Sequence, residues 1–179
     1  MEAGSIEEAE TRIRPSMESC TDPYLRCAFY GAALTALGVS GSALLAHSPQ
    51  GCDYLVNNAF AAQECDYMET MTLCTKLCVD EIVHGGEDIL ARTIREVKEL
   101  PIEALFVISA CGPEIVGDDI AAVCETLQAE MKFRLVPIAS PGFRGSQYDG
   151  IDIALDTILK QLVDGTVKRI PGSICLIAP

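Results

Sequence analysis

Ala104-Leu105-Phe106-Val107-Ile108-Ser109-Ala110-Cys111-Gly112-Pro113 carries no charge, and its first six residues form a continuous run closing on Ser109. A run of that length bounded by Gly and Pro reads as a strand covered on both faces, which is the pattern of a parallel sheet. Just before it, Ile89, Leu90, Ile94, Val97 and Leu100 recur at helical spacing. Glu87 and Asp88 in the first turn and Lys98 in the last complement the helix dipole. After it, a helix is expected near 117–130, then the strand Arg134-Leu135-Val136-Pro137-Ile138-Ala139. Pro137 cannot donate to a ladder, which points to an edge or a bulge.

The same alternation extends in both directions. An Ala-rich helix over roughly 28–37 precedes the short strand Ala43-Leu44-Leu45-Ala46, and a helix is expected from Gln50 to about 62, weakened by Asn57-Asn58. Residues 65–87 read as irregular, rich in Met and Thr; a last helix spans roughly 149–163, and Ser173–Ala178 reads as a strand. The expected fold class is α/β, an open, mostly parallel, Rossmann-like sheet with helices on both faces. Residues 1–19 form a polar, acidic arm and 20–179 one domain. Ligands of such sheets gather at the carboxyl ends of the strands.

Charge narrows the function classes. Lys plus Arg total 13 against 26 for Asp plus Glu, a net −13 that disfavours nucleic-acid phosphate and anionic membrane surfaces and welcomes a basic protein partner. Cys27 to His47 holds no Asp, Glu, Lys or Arg, but Gly38-Val39-Ser40-Gly41-Ser42 divides it into a helix and a strand of a buried core, so no membrane span is expected. Nine cysteines, an odd and irregularly spaced set behind the acidic start Glu2, Glu7, Glu8 and Glu10, argue for a reducing, cytoplasmic setting.

Three of those cysteines stand where sites are built. Cys27 precedes the Ala-rich helix, Cys52 follows Gln50-Gly51 beyond one strand, and Cys111 directly follows another. One fold could bring their thiolates together, and since a four-iron cluster takes four thiolates, a second chain or a non-cysteine ligand would complete the shell. Cys175 in a strand and Cys124 beside Val123 and Leu127 read as buried small hydrophobes. Cys74 and Cys78, four apart, would share a face if helical, and with Cys65 they could hold a second metal or a redox pair. No CxxC pair is present, His47 and His84 lack metal-ligand spacing, and neither a GxxxxGK[ST] nor a convincing GxGxxG loop occurs, so zinc and nucleotide sites are not expected. Asp118 or Asp119 reads as a helix N-cap, and Arg144 could pair with either.

In order along the chain come Cys27-Ala28-Phe29-Tyr30-Gly31-Ala32, Ala36-Leu37-Gly38, His47-Ser48-Pro49-Gln50-Gly51-Cys52 and Asp80-Glu81-Ile82-Val83-His84-Gly85-Gly86-Glu87. Ser109-Ala110-Cys111-Gly112-Pro113-Glu114-Ile115-Val116-Gly117-Asp118-Asp119 follows, then Pro141-Gly142-Phe143-Arg144-Gly145, with Gly150 eight residues after Gly142. From Cys27 onward the chain resembles the first domain of the nitrogenase component 1 family. That family includes the molybdenum-iron protein subunits, their cofactor-assembly scaffold and dark-operative protochlorophyllide reductase.

The resemblance implies that Cys27, Cys52 and Cys111 hold an interface iron-sulfur cluster, either a four-iron cluster or a larger eight-iron one. His47, Gln50, Gly51 and Gly112 would stand behind the thiolates. A homologous chain would supply the remaining ligands, as homodimer or heteromer, and an ATP-dependent iron-sulfur reductase would be the electron donor. Relatives usually continue through two further domains, whereas this chain ends at Leu176-Ile177-Ala178-Pro179, and Ile151 and Asp152 follow Gly150 where the dinitrogen-reducing subunit has a histidine. Dinitrogen reduction by this chain alone is not expected. Two functions fit: an oxidoreductase subunit relaying electrons through the cluster, or a non-catalytic scaffold or carrier for cluster or cofactor assembly.

Overall fold

A computed structural model describes residues 26–62 and 71–163. The Ala-rich segment forms α1 (Ala28–Leu37), and Gly41, at a φ of +71° that favours glycine, turns the chain into β1 (Ser42–His47). Then follow α2 (Gln50–Ala62), β2 (Met71–Cys74), α3 (Val79–His84), α4 (Glu87–Glu96) and β3 (Ala104–Ser109). The chain continues through α5 (Cys111–Val116), α6 (Ile120–Leu127), β4 (Arg134–Ala139) and α7 (Gln147–Leu162), with short 3-10 turns at Gln128–Glu130 and Gly142–Arg144.

The four strands are all parallel, in the order β2-β1-β3-β4. The expected architecture of a parallel sheet flanked by helices is therefore present. Alternate residues separate the two layers as the pleat requires. Leu44, Ala46, Phe106, Ile108, Val136 and Ile138 face α1, α2 and α7. Ala43, Leu45, Leu105, Val107 and Leu135 face α4 and α6. Both sides being covered is why β1 and β3 are buried at every position and why their sequence shows no polar alternation. Pro137 pairs in register with Val107 and sits on β4, an edge strand among the described residues.

The order reverses between β1 and β3: the chain leaves β1 for β2 on one side, then returns to β3 on the other. Their carboxyl ends, His47 and Ser109, lie in register, and the Ala110 amide donates to the His47 carbonyl at 3.1 Å. A crevice opens at such a reversal because the connections on either side diverge to opposite faces.

Several expectations are corrected. The stretch read as irregular contains β2 and α3, so Cys74 ends a strand and Cys78 precedes a helix; they do not share a helical face. The strand was hidden because its four residues are too few to show a period and are partly exposed. The helix carrying Ile89 and Leu90 stops at Glu96, leaving Lys98 beyond it and Arg95 in its last turn. Cys111–Val116 is a separate helix ended by Gly117 at φ +96°, and Asp119, whose carboxylate accepts the Ala122 amide at 2.9 Å, caps the next. The N-terminal arm, Cys20, Cys65, Cys175 and the expected strand Ser173–Ala178 lie outside the described residues.

Candidate metal centre

Cys27 is placed by the crossing of α1 and α7. Gly31 lies against the Gln147 carbonyl and Gly150 against the Ala28 carbonyl, so closely that a Cβ on either would overlap backbone. The two helices thus meet backbone to backbone, and only glycine permits it. Where they meet, Ala28 donates to the Gly145 carbonyl at 3.0 Å, Gln147 donates to the Arg26 carbonyl at 2.7 Å, and Cys27 bridges Ser146. Cys27 is therefore clamped to the segment that follows β4.

Cys111 begins α5 immediately after β3, and the Gly142 amide donates to its sulfur at 3.1 Å. A Cβ on Gly142 would stand 3.1 Å from Cys111 Sγ, 3.2 Å from Cys27 Cβ and 3.3 Å from Cys27 Sγ. The two thiols thus flank one glycine, which meets both only because it lacks a side chain. Cys52, in the first turn of α2, completes the group. Burial pushes its thiol pKa up, and the negative charges of Cys27, Cys111 and Cys74 push it further. A thiol whose pKa is raised by burial and by neighbouring thiolates binds metal with release of its proton, and the metal's charge removes the repulsion. Among the described residues no three His, Cys, Asp or Glu side chains converge on one ion. A multi-iron cluster does not need such convergence, since each thiolate binds a different iron. The donor set fits a cluster better than a single ion.

A family model described as nitrogenase component 1 type oxidoreductase matches residues 27–179. The chain belongs to that family. Similar proteins include the nitrogenase iron-molybdenum cofactor biosynthesis protein NifE of Clostridium pasteurianum, 31% identical over 82% of this chain and 33% of that protein. NifE of Mesorhizobium japonicum is 35% identical over 79% and 29%. The nitrogenase molybdenum-iron protein alpha chain of Methanosarcina barkeri is 31% identical over 76% and 27%. The solved structure titled nitrogenase Cp1 at pH 5 superposes with a TM-score of 0.70 at 24% identity, over 81% of this chain and 31% of that one, a likeness of fold. The chain spans about a third of the length of these relatives.

The other residues that the family resemblance singles out are spread over three places. His47 follows Ala43 and Leu45 on the α4/α6 side of the sheet, whereas Cys27 and Cys52 pack on the α1/α2/α7 side. It is fully buried; burial pushes its pKa below 6.5, against the opposing pull of Asp118. The Asp118 carboxylate offers acceptors only, so the neutral ring carries its proton on Nε2 and donates to Asp118 Oδ2 at 3.0 Å. The Thr75 hydroxyl then donates to Nδ1 at 3.2 Å while accepting the Ser48 amide at 3.2 Å. Asp118 also accepts the Gly86 amide on both oxygens at 2.9 Å. His47 is thus a pin joining β1, the start of α4 and the exit of the Cys111 helix, and Asp118 is its partner and not that of Arg144.

Gly112 packs α5 onto α3: a Cβ there would lie 2.6 Å from Ile82 Cδ1. Gln50 and Gly51 border an outer cleft, and Gly51 faces open space. From sequence, Cys74 is grouped with Cys65 and Cys78 and Gly142 is placed in a loop, but neither is assigned to the three-cysteine site. A glycine that touches two thiols from distant parts of the chain leaves no local mark, although its place in a Gly-Phe-Arg-Gly loop after a strand was visible.

Proposed function

We propose that this chain is the cluster-holding domain of a nitrogenase-type cofactor-assembly scaffold, with residues 20–179 as its folded unit. Cys27, Cys52 and Cys111 hold an iron-sulfur cluster, of four irons or a larger eight-iron type, at the switch point of the sheet. When bound, the group supplies electron storage and iron-sulfur chemistry. The Gly142 amide donates a hydrogen bond to the Cys111 sulfur, which lowers the charge on that ligand. The α1/α7 crossing orients Cys27, and the His47–Asp118 pin holds the loops carrying Cys52 and Cys111 in register. A homologous chain, in a homodimer or heteromer, supplies the missing ligand, and the setting is the reducing cytoplasm.

The observation that carries this reading is the closure of Gly142 on both Cys27 and Cys111. Sequence likeness to proteins named for iron-molybdenum cofactor biosynthesis favours assembly over turnover. Likeness to a molybdenum-iron protein alpha chain favours the second reading, a redox subunit relaying electrons from an ATP-dependent iron-sulfur reductase. Anaerobic purification with iron and sulfide counting and electron paramagnetic resonance tests the cluster: the wild type should carry it and Cys52→Ala should lose it. Donation of the cluster to an apo-acceptor without substrate turnover supports the scaffold. Reductase-dependent turnover would instead establish the relay.

A further inference from the structure

Two thiols close on a single point beside Gly142. A Cβ there would stand 3.1 Å from Cys111 Sγ and 3.3 Å from Cys27 Sγ, so the two sulfurs are at most about 6.4 Å apart, and none of the three atoms nearest that point belongs to Cys52. Both side chains are only partly buried, so a soluble reagent reaches them. Bonded sulfurs stand about 2.05 Å apart, and a change of χ1 rotamer moves a cysteine sulfur by up to about 3 Å. Rotation of both side chains spans the difference, at the cost of the hydrogen bond from the Gly142 amide to Cys111 Sγ. Glycine at 142 keeps the gap open, because any side chain would stand in it. Cys27 precedes α1 and Cys111 opens α5, so only the fold brings this pair together.

We propose that in the cluster-free protein Cys27 and Cys111 form a reversible disulfide that closes the three-cysteine site, with a small-molecule disulfide of the glutathione type as oxidant. One protein thiolate attacks the oxidant, whose S–S bond breaks and releases one thiol; the second protein thiolate then attacks the mixed disulfide and releases the other. The two protein thiols lose two electrons, the oxidant gains them, and the two protons leave on the released thiols. In a reducing setting such a bond is transient and senses the redox state. It withdraws two of the three candidate iron ligands until a dithiol reduces it, and it spares both sulfurs from oxidation to sulfinic acid, which simple reduction does not reverse. The bond rests on the geometry alone; its effect on loading rests on the cluster function proposed above.

The test incubates the full-length apoprotein anaerobically with oxidised glutathione, traps free thiols with N-ethylmaleimide and maps the linkages by mass spectrometry. A peptide pair joining Cys27 to Cys111 should dominate in the native chain and lose its lead in urea, where the fold no longer selects it. Native protein in which Cys52 is linked to either partner as often, or lacking the Cys27–Cys111 pair, overturns the proposal; so does a preference that persists in urea. Gly142→Ala sets a methyl against both sulfurs and should slow the linkage by a factor of about 5 or more, and an unchanged rate overturns the proposal. Circular dichroism checks the fold of that variant, and if it is unfolded the native and urea maps decide. The linked chain should take up almost no iron and sulfide on anaerobic reconstitution and recover uptake after dithiothreitol; full loading of the linked chain overturns the switch. A fully reduced chain that takes up no iron counts against the cluster reading instead, and the linkage map still decides the bond.

Discussion

Gly142→Ala is the substitution on which the site geometry most directly depends. The new methyl would stand 3.1 Å from Cys111 Sγ, 3.2 Å from Cys27 Cβ and 3.3 Å from Cys27 Sγ. Comfortable contact begins at about 3.5–4.0 Å, so it is roughly 0.2–0.9 Å too close to each. Overpacking of this kind costs about 1–3 kcal/mol. All three atoms belong to two side chains that are only partly buried, so the apoprotein can relax by swinging the thiols apart. That places the stability cost near the lower end, about 1 kcal/mol. A cluster forbids the swing, so the holoprotein meets the full conflict, and 1–2 kcal/mol weakens cluster binding by a factor of about 5–30. Guanidinium unfolding of the apoprotein should show a small loss, while anaerobic reconstitution should show much-reduced iron and sulfide and an altered resonance spectrum. Gly51→Ala is the control, because its Cβ meets nothing within 4 Å, and iron content should stay at the wild-type level. A Gly142→Ala protein with full iron and an unchanged spectrum would refute the placement of Cys27 and Cys111 as cluster ligands around this glycine.

Asp118→Ala leaves the His47 Nε2–H and the Gly86 amide without acceptors in the interior, and should cost about 3 kcal/mol by denaturant unfolding. Because burial holds the His47 pKa below 6.5, the unfolded chain takes up a proton near that pH which the folded chain refuses. The contribution of His47 to stability is therefore complete above about 6.5 and shrinks as pH falls towards the folded pKa; His47→Gln should remove that part of the pH slope, and an identical slope in both proteins would contradict it. Gly150→Ala sets a methyl against the Ala28 backbone carbonyl, which cannot turn aside; it should destabilise by about 3 kcal/mol or more and lower iron content through displacement of Cys27. The thiol of Cys124, buried under α6 and pushed up to about 12, should resist iodoacetamide in native protein at pH 8, whereas exposed Cys78 reacts quickly; mass mapping of the adducts decides this.

The legibility of the fold followed burial. Strands covered on both faces, such as Ala104–Ser109, announce themselves as unbroken apolar runs, and the α1, β1 and α2 boundaries agree with the sequence reading to within a residue or so. What escaped was short or partly exposed: β2 has four residues and α5 six, too few for a period to show. The helix boundary at Glu96 was misjudged because Val97 and Leu100 keep helical spacing while the chain is already turning.

Within the candidate site the division is similar. By itself the sequence determined the layer architecture, the acidic surface and the position of Cys111 at a strand end, because these depend on composition and on neighbours along the chain. Only the tertiary structure decided that Gly142 stands between Cys27 and Cys111, that His47 points to the opposite face and bonds Asp118, and that Cys74 opens onto a cleft beside Cys52. Those relations join residues about 20 to 115 positions apart, for instance Cys27 with Gly142. They arise from the strand order β2-β1-β3-β4 and from two glycines that let α1 and α7 touch, and no local pattern encodes a long-range packing geometry.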